Sequence, residues 1–272
     1  MENQLNSESQ ILLSVILPIR NEEGILMKSC ETFAKEYDEV VGPGKWQFVL
    51  VENGSTDQTP AIIEEIVRIW PQSMALAIGS GDYGRALKKG IEASEGENLM
   101  ILNVDHLWDT PFFNWAWRER KTYDLIIGSK RSDPTLNTQS QYRKMLSAGL
   151  NAILNYLFDF SGSDTHGMKV MKADSIKKLA DKCVMTRGQF DTELTLRALR
   201  GGLWVGEAPI PYSEKRSPRN FMFKKIFQNV FDLFILYRLM KSIPYDSSIR
   251  YRRIPRDDIE PVELQAGRSR VE

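Results

Sequence analysis

Residues 98–106 read Asn-Leu-Met-Ile-Leu-Asn-Val-Asp-His, an apolar run that ends on a carboxylate beside a histidine. A run this short and this apolar fits a strand buried on both faces, as in a parallel sheet covered by helices. In such sheets ligands bind beyond the carboxyl ends of the strands. Asp105 then stands where it could bind a metal, bind a ribose, or cap the next turn.

The same grammar recurs on either side. Residues 11–17, stopped by Pro18, and residues 46–51, 74–78 and 124–129 are further strand-like runs. A helical pattern follows Asn21, with Ile25, Leu26, Cys30, Phe33 and Ala34 on one face. Another covers about 60–70, where Pro60 suits a first turn and Asp57 or Thr59 a cap. A third lies near 84–94. Alternating strands and helices predict an α/β fold with a mostly parallel sheet, helices on both faces. The polar residues collect just past the strands, at Arg20–Glu22, Glu52–Asp57 and Asn103–His106.

Beyond residue 142 the texture changes. An amphipathic helix is predicted over 142–158, helical segments over 175–183 and 190–200, and a last strand with its exit loop over 205–216. The expected organisation is a leader at 1–10, one domain over 11–220, an amphipathic helix over 221–243, and a polar, mobile tail over 244–272.

Composition narrows the function. The 272 residues carry 36 basic and 36 acidic side chains, so no net field draws nucleic acid. Cys30 and Cys183 are too few for a disulfide scaffold and lack metal-ligand spacing. The polar start has no signal-peptide order, and no run of about 18 apolar residues offers a spanning helix. The expectation is a cytoplasmic protein, at most peripheral at the inner face of a membrane.

Gly79-Ser80-Gly81-Asp82-Tyr83-Gly84 matches the dinucleotide fingerprint G-x-G-x-x-G, with Asp105 about twenty residues on. That would make the chain a dinucleotide-dependent oxidoreductase. The motif follows the third predicted strand instead of the first, and it leaves the polar ends of the first two strands without a task.

Seven segments, taken in order, account for more: 14–25 (SVILPIRNEEGI), 49–59 (VLVENGSTDQT), 81–105, 124–131 (DLIIGSKR), 164–174 (DTHGMKVMKAD), 188–202 (GQFDTELTLRALRGG) and 207–220 (EAPIPYSEKRSPRN). Together they resemble the family 2 glycosyltransferases, most closely the polyprenol (dolichol) phosphate mannosyltransferase-like branch. The resemblance implies an A-type glycosyltransferase fold, Rossmann-like, with a C-terminal helical appendage. It also implies an inverting transfer of a sugar from a nucleotide-sugar donor to a polyprenyl phosphate.

The same resemblance assigns residues. A departing diphosphate needs its charge neutralised, and hard oxygen ligands suit Mg²⁺ or Mn²⁺. The family's Asp-x-Asp stands here as Asn103-Val104-Asp105, which makes Asp105 the expected metal ligand. Pro18, Arg20, Glu22, Glu52, Asn53, Asn103 and Val104 match positions around the nucleoside, with Asn53 where the base is read. Lys130 or Arg131 matches a basic residue facing phosphates. Asp191 and Glu193 fall in the segment beside the acceptor, as candidates for a general base. A phosphate acceptor is already ionised near neutrality and needs cations more than a base. Arg143, Lys169 and Arg216, with Lys215 and Arg219, supply that sign in matching segments. Each of these charges also has a plain reading as solvated surface, and His106 as a structural histidine.

Two readings remain open. The amides at 53 and 103, where the family carries acids, fit a protein that has lost turnover and serves as a binding or assembly partner. The apolar residues of 221–242 (Phe223, Ile226, Phe227, Val230, Phe231, Phe234, Ile235 and Leu239) recur at helical spacing. That face fits a membrane surface, with Lys224 and Lys225 near lipid phosphates, or packing and a homo-oligomer contact.

Overall fold

A computed structural model describes residues 10–79, 81–104, 110–136, 141–211, 222–243 and 250–259. Its first half alternates strands and helices: β1 (Leu13–Ile19), α1 (Leu26–Val40), β2 (Trp46–Glu52), α2 (Thr59–Ile69), β3 (Met74–Ala77), α3 (Tyr83–Ala93), β4 (Asn98–Ile101), α4 (Thr110–Glu119) and β5 (Leu125–Ser129). The second half runs α5 (Gln141–Phe158), β6 (Lys169–Lys172), α6 (Ala173–Lys182), α7 (Gln189–Arg200), β7 (Trp204–Pro209), α8 (Met222–Lys241) and β8 (Arg250–Arg253). The strands form one sheet in the order β3-β2-β1-β4-β6-β5-β7-β8. The pairs β1–β2, β1–β4, β2–β3, β5–β7 and β7–β8 are parallel, and β6 runs against both of its neighbours.

Strand alternation sorts the core into two layers. Leu13, Val15, Leu17 and Ile19 of β1 pack with α1, α2 and α4, where Tyr37 sits among Trp46, Phe48 and Phe113. Ile16 of β1, Val49 and Val51 of β2, and Leu125 and Ile127 of β5 face α3, α5, α6, α7 and α8. Both faces of the central strands are thus apolar, which is why they read as unbroken hydrophobic runs. The fold class expected from the sequence is the one observed.

Three elements were not legible as such. α4 carries aromatic residues without clear periodicity, β6 was visible only as part of a motif, and β8 falls in the stretch expected to be a mobile tail. β8 joins the sheet at its edge, in parallel register with β7. Asp105, His106, Lys215, Arg216 and Arg219 lie outside the described residues, as does the side chain of Arg143, which belongs to α5.

Because β6 is reversed, its amino end reaches the same rim as the carboxyl ends of the other strands. The loops after β1, β2, β3, β4 and β5 and the loop before β6 therefore share one edge of the sheet.

Candidate functional site

The loops after β1 and β2 are stitched together by reciprocal hydrogen bonds. Asn21 N donates to Ser55 Oγ at 3.1 Å, and Thr56 N donates back to Asn21 Oδ1 at 2.8 Å. Glu22 N donates to Thr59 Oγ1, Glu23 N to Asp57 Oδ2, and Gln58 N to Glu23 Oε2. Asn21 takes a positive φ of 54°, a strained conformation that asparagine tolerates better than most residues. Backbone N–H groups that a helix start would leave unpaired are thereby satisfied across the two loops.

The β3–α3 loop is tied in next. Asn53 is buried, and its Oδ1 accepts from Asp82 N at 2.7 Å. Asp82 caps α3 through Arg85 N at 3.0 Å and also accepts from Arg187 N at 2.9 Å, just before α7. The guanidinium of Arg20 rests on Gly81, where an added Cβ would lie 2.1 Å from an Arg20 nitrogen. An added Cβ at Gly84 would meet the Arg187 backbone at 2.6 Å. The glycine motif therefore serves close packing between the rim loops.

Glu52 points into its own turn, accepting from Ser55 N at 2.5 Å. Burial alone would raise its carboxyl, but the Ser55, Gly54 and Asn53 donors outweigh that and hold it below its ordinary value. Its role here is to shape the turn that presents Asn53. Pro18, Glu22 and Asn103 are half-buried on the same rim, Arg20 is exposed, and Val104 is buried with its carbonyl accepting from Ser29 Oγ. Val104 closes the described part of that loop, and Asp105 is the next residue in the chain. Among the described residues, no group of three or more His, Cys, Asp or Glu side chains converges as a metal site.

On the other half of the rim lies a cavity of about 300 Å³ lined by Lys130, Arg131, Asn151, Leu154, Ser163, Asp164, Thr165 and His166. Asp164 is 6% exposed, and its Oδ1 accepts from His166 N while its Oδ2 has no partner. Arg131 Nε is likewise buried without a partner. Orphaned buried groups of opposite sign in one cavity are costly unless a ligand or water meets them. His166 is engaged at both ring nitrogens, Nδ1 with Thr165 Oγ1 at 3.0 Å and Nε2 with Gly188 O at 2.9 Å. Since the carbonyl can only accept, Nε2 donates in this contact. Asp164 and His166 were not singled out beforehand; an Asp and a His two residues apart in the segment DTHG were the available signal.

The residues expected near the acceptor separate here. Lys169 and Asp191 are fully buried and paired at 2.8 Å, and Lys169 Nζ also donates to Gly167 O. Asp191 Oδ2 is left without a partner. Lys169 therefore meets a carboxylate within the protein and presents no surface charge to a lipid phosphate. Glu193 is also buried, and its two oxygens accept from Val184 N, Met185 N and Arg197. With both oxygens committed, Glu193 anchors the loop before α7 and has no lone oxygen facing the rim as a base.

Comparison with known proteins bears on this geometry. The family model described as Glycosyl transferase family 2 matches residues 14–179. A dolichyl-phosphate beta-glucosyltransferase of Trichomonas vaginalis is 24% identical over 218 residues, 76% of this chain and 67% of that protein. A glycosyltransferase of Haloferax volcanii is 24% identical over 75% of this chain, which spans 33% of its length. An undecaprenyl-phosphate 4-deoxy-4-formamido-L-arabinose transferase of Proteus mirabilis is 26% identical over 52% of this chain and 43% of its own. Among solved structures, glucosyl-3-phosphoglycerate synthase of Mycobacterium tuberculosis, in complex with Mn²⁺, UDP and phosphoglyceric acid, superposes with a TM-score of 0.57. That match is 17% identical and covers 87% of this chain and 80% of that one. At that identity the likeness concerns the fold.

Proposed function

This chain belongs to glycosyl transferase family 2, and from that premise we propose that it transfers a sugar from a nucleotide-sugar donor to a polyprenyl phosphate, with inversion. The observation that carries the reading is the division of one rim into two halves. The loops after β1, β2 and β3, with Arg20 as their one described cation, are knitted into a platform, and a cavity with Lys130 and Arg131 lies on the other half of the rim. The relatives named for dolichyl- and undecaprenyl-phosphate substrates support the choice of acceptor.

In this reading Pro18, Arg20, Glu22 and Asn103 surround the nucleoside. Asn53 faces the base with its amide nitrogen, its oxygen being held by Asp82 N. Asp105, the residue after Val104, would hold Mg²⁺ or Mn²⁺, since a carboxylate is a suitable hard donor for either ion. Such an ion would supply positive charge to offset the charge that develops on the departing diphosphate. Lys130 and Arg131, which the resemblance places at the donor diphosphate, line the cavity and in this reading also hold the acceptor phosphate there. One of its oxygens attacks the anomeric carbon, and the bond from that carbon to the diphosphate breaks, its electron pair leaving with the diphosphate. A phosphate nucleophile is already deprotonated, so no base is required. Asp164, in the lining of the cavity, then serves as a fixed negative charge that steers the sugar and the cations, while the charge of Asp191 is spent on Lys169.

A lipid acceptor also gives the outward helix faces a task. On α8, Leu233, Leu236 and Met240 are buried while Phe231 and Phe234 are 63% and 57% exposed, followed on the same side by Arg238 and Lys241. Exposed Met145, Ile153 and Tyr156 line the outer side of α5. Among the described residues no helix is long and apolar enough to cross a membrane. The aromatic pair and following cations suit a membrane surface, where rings enter the interface and cations meet lipid phosphates.

The decisive experiment is a thermal-shift screen of UDP-, GDP-, dTDP- and CDP-sugars with and without Mn²⁺. One class of donor should raise Tm in a metal-dependent way through ligand linkage. Stabilisation by NAD(H) alone would reverse the reading. Donor binding without transfer to undecaprenyl or dolichyl phosphate would favour a protein that has lost turnover.

A further inference from the structure

The strands that reach the second half of the rim exchange apolar for polar residues on one face. Ser129 ends β5, Lys169 starts β6, and Glu207 lies near the end of β7, all fully buried on the side that carries α5 to α8. Lys169 is matched by Asp191. Glu207 is matched by hydrogen-bond donors from two directions. Its carboxylate accepts from Ser163 N at 2.8 Å, from Ser163 Oγ, and from Tyr251 OH on β8. The backbone just past β8 grips the same residue, since Ile254 N donates to Glu207 O at 2.8 Å.

Donor accounting gives this cluster a direction. A carboxylate only accepts, so the Ser163 hydroxyl spends its proton on Glu207. The 2.9 Å contact between Ser129 Oγ and Ser163 Oγ must then be donated by Ser129. That leaves the Ser129 oxygen as acceptor for Arg131 N and Ser132 N, both at 3.2 Å. Burial, and next the Glu207 carboxylate, push the Tyr251 hydroxyl well above its ordinary value, so it stays a donor. The chain thus runs from the C-terminal strand through Glu207, Ser163 and Ser129 to the loop holding Lys130 and Arg131. Ser163 also precedes Asp164 directly.

We propose that Tyr251 is a positioning residue, which through Glu207, Ser163 and Ser129 sets the two loops that form the cavity at the second half of the rim. β8 is then part of the apparatus of the site as well as an edge strand. What the loops hold rests on the function proposed above; the positioning itself does not.

The test is Tyr251→Phe, which keeps the ring and removes the donor. Amide hydrogen exchange should accelerate about tenfold at Arg131, Ser132 and Ser163, the scale expected when one hydrogen bond to a charged group is lost. The loops at 53–58 and 81–85 should be unchanged, and Tm should fall by no more than the few degrees that one lost hydrogen bond to a charged group costs. Ser163→Ala should give the same acceleration at Arg131 and Ser132, and the double variant should add nothing, because both act through one chain. Acceleration confined to 205–209 and 250–254 would overturn the proposal, as would a uniform rise over all rim loops or strictly additive effects. A repeat with inorganic phosphate separates the two readings. With the relay effect intact, failure of phosphate to protect residues 130–132 and 163–166 in the wild-type chain counts against the acceptor assignment alone.

Discussion

Lys169 and Asp191 are buried from the surface, so each charge depends on the other. Removing one partner of a buried pair leaves an uncompensated charge, which typically costs about 3–5 kcal/mol. Lys169→Met should therefore destabilise the protein by that order in urea unfolding, and Asp191→Leu added to it should recover most of the loss. A small effect of the single change would mean that the pair is more hydrated than its burial indicates. Glu52 carries a pH dependence of known sign. Its folded-state carboxyl sits below the ordinary value of 4.5, so its contribution is present above that value and is lost as the pH falls through the lower, folded one. The stability advantage of the wild type over Glu52→Gln should be flat above pH 4.5 and shrink below it. Equal titration of both proteins in a Tm-against-pH series would rule this out. These side chains were named from the sequence by type and position, whereas the task of each was not legible. A lysine near an acceptor motif and a lysine inside an ion pair look the same until Asp191 arrives from another element.

The elements meet the rim through close backbone approaches. An added Cβ at Gly167 would lie 1.8 Å from Gly128 O, between β5 and the entrance to β6. Backbone cannot swing aside as a side chain can, so Gly167→Ala must part the two segments that wall the cavity. Overpacking of this kind costs about 1–3 kcal/mol. The expected outcome is a lower urea midpoint, with faster amide exchange at Gly128, whose N–H donates to Met168 O. An unchanged midpoint would show that the entrance to β6 is pliable. Strands β1, β2, β4 and β5 were readable because their apolar runs are buried on both faces, while β3, an edge strand with Ala75 and Ala77 exposed, was readable from its apolar composition alone. β8, Arg-Tyr-Arg-Arg, was not, because a short edge strand of three arginines and a tyrosine has no local apolar signal and is recruited by pairing with β7.

For the whole molecule the issue is what meets the outer faces of α5 and α8. If they rest on lipid, Phe231→Ser with Phe234→Ser should reduce co-sedimentation with anionic liposomes at least several-fold while leaving Tm unaltered, since each ring is more than half exposed. An unchanged bound fraction, with a concentration-dependent mass in solution, would assign the face to a second copy of the chain. The sequence by itself determined the α/β architecture, the family and the rim on which the polar residues gather. Those follow from local periodicity and from strand ends, which the order of residues encodes directly. Tertiary structure alone decided that Glu193 is a loop anchor, that Lys169 answers Asp191, and that Asp164 faces a cavity. It also alone brought Tyr251 within reach of Ser163 through Glu207. The partners of Glu193 lie 4 to 9 positions away, but those linking Lys169 to Asp191 and Tyr251 to Ser163 are 22 to 88 positions apart and meet only when the sheet assembles; burial then settles which charges can still face a ligand.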